Sequence, residues 1–186
     1  MSHFRNFKKI HGPGLDCNGV SKKMINTYED KLPLSLVEHW KSEGLCGYAK
    51  GLIWLVDPSE YEDILEEWLE PSSYDCIVFA RTAFGDLYFW SNNKAYYLSV
   101  HYGKLKKITD DIEILFETVL CDHTVLEEVL MQTIYLEAYE RLGPPKSDEC
   151  YAFVPALALG GSRTAVSLQK VTLREHLGIL VQLVGE

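Results

Sequence analysis

Apolar and polar positions change rhythm several times along this chain, and each change marks an element. Leu52 to Val56 is an unbroken apolar run, long enough for a strand and too short for a helix, which predicts a strand buried on both faces. Asp57 stops it. Pro58 at the next position and Glu60 three residues after Asp57 give the spacing of a capping box, so a helix is expected from Pro58 to Glu70, ended by Pro71. Tyr61, Ile64, Leu65, Trp68 and Leu69 fall on one face of that helix and should pack on a sheet. The opposite face is Glu62, Asp63, Glu66, Glu67 and Glu70, with no Lys or Arg among them. Three like-charge pairs stand one turn apart, each destabilising by roughly 0.2–0.5 kcal/mol. The later acids also sit at the negative end of the helix dipole. Such a face is either a solvated surface kept for solubility or one shaped to meet a basic partner.

The rest of the chain alternates in the same way. Ser21 caps a short helix carrying Met24, Ile25 and Tyr28, and a second helix runs from Leu34 to Glu43 with Gly44 as its exit. Leu45 to Tyr48 and Leu52 to Val56 form a hairpin. From Cys76 the runs CIVFAR, DLYFW, KAYYLSV and KLKKI, broken by TAFG, SNN and Gly103, predict an antiparallel meander. Thr109 is the expected cap of a helix with Ile112, Leu115, Phe116, Val119 and Leu120 on one face. Thr124 with Glu127 opens a helical region from Val125 to Leu142 that Gly143 and Pro144 close. Pro155 argues against a continuous central strand in YAFVPALAL, and Thr172 with Glu175 brackets the start of a last helix through Leu173, Leu177 and Leu180. The expected class is α+β: an antiparallel sheet with helices packed against it over 1–108, then a small, mostly helical C-terminal domain over 109–186.

Composition narrows the functional classes. With 186 residues, 47% hydrophobic and 24% charged, the chain should fold with a sizeable core. A net charge of −9 disfavours direct contact with nucleic acid and favours a basic protein partner. No signal-peptide core and no span of about 20 apolar residues is present, which predicts a cytoplasmic protein with no membrane contact. The five cysteines are odd in number, widely spaced and without C-x-x-C, so they are expected to be reduced, with no disulfide framework and no zinc ribbon. No histidine lies in H-E-x-x-H, and Cys121-x-His123 has no nearby partners, so no metal or cofactor is expected. Gly160-Gly161-Ser162 lacks the Lys of a phosphate loop and reads as a turn, and no G-x-S-x-G is present. Trp54, Tyr96 and Tyr97 make the meander aromatic. Core packing is the common use of such residues, and any that face outward are candidates to contact a protein.

LVEHW, GLIWLVDPSEYEDILEEWLE and ARTAFGDLYFW resemble the GAD-like domain of bacterial type VI secretion immunity proteins. FVPALALGGS with LQKVTLREHLGILVQL resembles the small C-terminal domain that accompanies it in immunity proteins paired with nuclease effectors. The two similarities span about Asn26 to Gly185. They imply an antitoxin, not an enzyme, that binds a cognate secreted toxin with a basic surface, a DNase in this family context. They supply no catalytic residues to carry over. The acidic face fits that expectation, since a nuclease needs basic surface to hold phosphates. Two readings of other classes stand beside it: a small enzyme with a converged Cys/His or carboxylate site, and a generic protein-binding scaffold.

Overall fold

The computed structural model describes residues 3–69 and 76–184. Seven strands form one antiparallel sheet in which each strand pairs with the next in sequence: β1 (Leu15–Asn18), β2 (Leu45–Tyr48), β3 (Ile53–Leu55), β4 (Ile77–Thr82), β5 (Leu87–Ser91), β6 (Lys94–Ser99) and β7 (Lys104–Thr109). Helices α1 (Arg5–His11), α2 (Lys22–Tyr28) and α3 (Leu34–Glu43) lie in its first half, and α4 (Glu62–Trp68) connects β3 to β4. After β7 come α5 (Ile112–Glu117) and α6 (Gln132–Leu142), the hairpin of β8 (Glu149–Phe153) and β9 (Leu168–Thr172), and α7 (Leu173–Val184). The α+β architecture expected from the sequence is the one observed.

Alternation along the strands explains why the sheet is covered on both sides. Ile53, Leu55, Tyr88, Trp90, Ala95 and Tyr97 belong to one buried cluster, shared with residues of α1, α2, α3, α5 and α6. Their sequence neighbours Trp54, Val56, Leu87, Phe89 and Leu98 belong to a second, shared with Ile64 and Leu65 of α4 and Leu173, Leu177 and Leu180 of α7. Leu52 to Val56 is therefore buried on both faces, as its unbroken apolar run predicts. Tyr61 is buried with Ile64 and Leu65, while Trp68 and Leu69 pack on the same cluster half-buried.

Four expectations need correction. The helix expected from Pro58 begins later: the Asp57 carboxylate accepts from the Ser59 N–H and hydroxyl, closing a tight turn over Pro58–Glu60, and α4 starts at Glu62. Glu70 lies outside the described residues. The cap of α5 is Asp111, whose carboxylate accepts from Glu113 N–H, while the Thr109 hydroxyl accepts from Asp111 N–H one step earlier. The helical region from Val125 is broken: a π-helical turn over Val125–Val129, with Asp122 and not Thr124 bonded to the Val125 N–H, stops at Met131 (φ 53°), and α6 follows. Finally, Cys17 and Cys46 form a disulfide. The two residues stand 29 apart in sequence, but β1 and β2 are adjacent strands and bring their Cα atoms to 4.2 Å. Cys76, Cys121 and Cys150 are not in disulfides.

Candidate functional site: the acidic helix face and the cleft beside it

The local sequence sets which way α4 turns. Tyr61, Ile64 and Leu65 are drawn into the second cluster, so Glu62, Asp63, Glu66 and Glu67 are left on the outer, exposed side. The helix has no basic residue in its last turn, so the clash of the acids with the dipole persists there. The acids are not equivalent, however. Asp63 receives a bidentate Arg174 from α7, with Nη2 at 2.9 Å from both carboxylate oxygens, a partner 111 residues away that helical spacing does not reveal. The pair is exposed and in the range of about 0–1 kcal/mol, so it orients the two helices more than it stabilises them. Glu62 accepts a hydrogen bond from the Tyr28 hydroxyl at 3.1 Å, and burial, helped by this carboxylate, pushes the Tyr28 phenol up to about 12. Glu66 and Glu67 have no ion pair or side-chain hydrogen bond among the described residues.

The aromatic candidates sit mostly inside. Trp54 is 5% exposed and its Nε1–H donates to the Gly51 carbonyl at 2.7 Å. Tyr97 is buried in the first cluster against Tyr88, and Tyr96 is half-buried with its ring stacked on Phe89. The structure does not gather Tyr96 and Tyr97 into one patch, because consecutive residues of β6 face opposite sides of the sheet.

Beside α4 lies a cleft of about 640 Å³ that the sequence did not announce. One wall is Asn18 of β1, Gly19 after it and Leu45 of β2, another is Tyr61 with Ile64 of α4, and the third is Ser147, Asp148, Leu173 and Arg174 from the C-terminal part. Its floor is β3, Leu55 and Trp54, with Arg81 of β4. Arg81 is wholly buried: its guanidinium donates to the carbonyls of Thr82 (3.1 Å), Lys146 (3.3 Å) and Ser147 (2.7 Å) and lies 5.5 Å from the Trp54 ring centre. Its Nε–H has no acceptor among the described residues. An Arg within the apolar strand CIVFAR is visible in the sequence, but two of its three carbonyl partners stand 65 and 66 residues away.

The histidines do not form a metal site. His101 and His176 are both buried with ring centres 5.9 Å apart, and no group of three or more His, Cys, Asp or Glu among the described residues can hold a metal ion. Burial lowers His101, and it lowers His176 to about 4. The thiols of Cys121 and Cys150 are equally unsuited to attack, since burial raises Cys121 to about 11 and Cys150 to about 12. No described helix is long and apolar enough to cross a membrane.

Comparison with known proteins matches residues 3–103 to the GAD-like domain and residues 111–184 to the C-terminal domain of the T6SS immunity protein Tdi1. No curated protein matches. Among solved structures, Atu4351 from Agrobacterium tumefaciens is similar with a TM-score of 0.74 at 15% identity, over 96% of this chain and 88% of that one, which establishes a shared fold.

Proposed function

We propose that this chain, which belongs to the GAD-like domain family and carries the C-terminal domain of type VI secretion immunity protein Tdi1, neutralises a cognate secreted toxin by binding it through the acidic face of α4. The observation that carries the immunity reading is the immunity-protein domain over 111–184. The finer reading, a nuclease held at its basic phosphate-binding surface, is supported by the net charge of −9 and by Glu66 and Glu67, two exposed carboxylates with no cation partner among the described residues. Charge of that kind steers association and raises the on-rate more than it raises intrinsic affinity. A binding role is supported by the immunity-protein domain, and burial keeps the thiols of Cys121 and Cys150 protonated.

We place the action in the cytoplasm, where a DNase meets its substrate. The Cys17–Cys46 disulfide is the observation that favours an oxidising compartment instead. Co-expression with the toxin encoded by the adjacent gene tests the function. Growth is restored and the two proteins co-purify if the reading holds; unrelieved toxicity with no complex overturns it. Thiol trapping in the same cells reports whether Cys17 and Cys46 are bonded there.

A further inference from the structure

The segment between α1 and α2 is held to the fold by a crosslink more than by packing. The helices at its two ends are anchored, α1 by Phe7 and His11 and α2 by Met24, Ile25 and Tyr28, all buried. From Gly12 to Lys23 no residue is buried, and every residue of β1 is exposed. Segments with few buried apolar contacts open most easily, and here only Val20 packs half-buried on the first cluster. The pairing of β1 with β2 is short and irregular: Leu15 stands opposite Gly47 and Asn18 opposite Leu45, and the register shifts between them. Among the described residues, no side chain from Gly12 to Val20 makes a hydrogen bond or ion pair to another element. Cys17 is the exception in covalent form, bonded to Cys46 of β2. Gly12, at φ 81°, supplies a pivot at one end, and a Cβ on Gly19 near the other would meet nothing within 4 Å. One disulfide therefore ties down a flap whose other ties are a few backbone bonds at the sheet edge.

We propose that residues 12–20 are a redox-controlled flap, closed on the β2 edge while Cys17 and Cys46 are bonded and released when a dithiol reductant cleaves that bond. The chemistry is thiol–disulfide exchange, and a reducing cytoplasm supplies the reductant. A reductant thiolate attacks Sγ of Cys17, the exposed partner, forming a mixed disulfide and expelling the Cys46 thiolate. That thiolate takes a proton, and the Glu43 carbonyl oxygen, 3.3 Å from Cys46 Sγ, accepts from the new thiol within the core. The second reductant thiol, as its thiolate, attacks the mixed disulfide and frees Cys17. The reductant leaves as a disulfide, and two electrons and two protons pass to the protein. Because α1 and α2 keep their buried anchors, the opening is confined to the flap. On release β2, three of whose four residues are buried, replaces β1 as the edge of the sheet. Asn18 and Gly19 leave the wall of the cleft beside α4 in the same movement. None of this depends on the immunity reading.

Amide hydrogen exchange on the full chain, read by mass spectrometry of its peptides, tests the flap. The protein is compared after air oxidation, after reduction with dithiothreitol, after reoxidation with oxidised glutathione, and as Cys17→Ser. Peptides covering 12–20 are expected to exchange at least about 10-fold faster in dithiothreitol and to recover their protection on reoxidation. In Cys17→Ser they should exchange fast with or without reductant. Peptides covering α1, α2 and β4–β6 should keep their rates throughout. The reduced parent needs no substitution, so the test stands if Cys17→Ser fails to fold. Equal exchange over 12–20 in the oxidised and reduced protein overturns the flap. A rise on reduction that α1, α2 and β4–β6 share equally also overturns it, because the bond would then hold the whole fold and not the flap. Five reactive thiols in the air-oxidised protein would do the same. No toxin enters the measurement, so the proposed function stands or falls separately.

Discussion

Removing the Cys17–Cys46 disulfide should cost the fold about 3.6 kcal/mol. The figure follows from the chain entropy that a crosslink removes from the unfolded state, evaluated for a separation of 29 residues. Cys17→Ser is the cleaner perturbation, because Cys17 is exposed and Cys46 is fully buried, so the substitution opens the crosslink without placing a hydroxyl in the core. The local packing is built around the sulfurs. A Cβ on Gly14 would stand 2.7 Å from both Sγ atoms, and one on Gly44 would stand 2.5 Å from the Asn18 carbonyl oxygen. Two glycines thus allow the close approach of β1 to β2 that the disulfide requires. With a urea m-value near 2–3 kcal/mol/M for a chain of this size, the midpoint should fall by about 1–2 M. Denaturation followed by fluorescence, with and without reductant, measures it, and reductant should leave the Cys17→Ser variant unchanged. Thiol counting on the denatured, unreduced parent should find only Cys76, Cys121 and Cys150. Five reactive thiols without reductant, or equal midpoints for parent and variant, would refute the reasoning.

Further outcomes follow from the packing and the titrating groups. Leu65→Ala removes a buried side chain between α4 and the sheet and should cost about 2–5 kcal/mol; an unchanged urea midpoint contradicts the assignment of α4 to the second core. Acid should destabilise the fold through His39 and His176, whose imidazoles burial holds at about 4, below the ordinary 6.5. As pH falls the unfolded chain takes up those protons first, so the stability is fully present above about 6.5 and is lost between there and about 4. Urea midpoints from pH 7.5 to 4.5 should decline over that window, with a smaller decline for His176→Gln, and a flat profile would show that these rings are not the cause.

Much of the fold was legible because local signals and tertiary packing agree. Gly44, at φ 86°, ends α3 where the sequence placed its end, and the four strands from Ile77 to Thr109 follow the turns at Gly85, Asn92–Asn93 and Gly103. The start of α4 was not legible, because Asp57 has two acceptable uses for its carboxylate and the turn over Ser59 takes precedence over the capping box. Met131 adopts a left-handed φ inside an unbroken helical pattern, which no propensity marks. β1, with every residue exposed, and β9, mostly exposed, leave no apolar alternation to read, and β8–β9 flank a proline that argued against a strand. The acidic face was plain in the residues. The parts that complete it, Arg174 on Asp63, Tyr28 on Glu62 and the cleft over Arg81, join positions 34 to 111 residues apart and exist only once the sheet is assembled.

The central claim, that the outer face of α4 is what meets the toxin, is tested most directly by association kinetics. Glu62, Asp63, Glu66 and Glu67 are changed together to Gln or Asn, and the on-rate for the inactive toxin is measured at several salt concentrations beside the parent. Loss of the like-charge pairs within α4 should offset much of what the Asp63–Arg174 pair contributes, leaving stability near that of the parent. The account predicts slower association for the neutralised protein and a shallower dependence on salt. Equal rates with equal salt slopes would contradict it and place the interface on another surface.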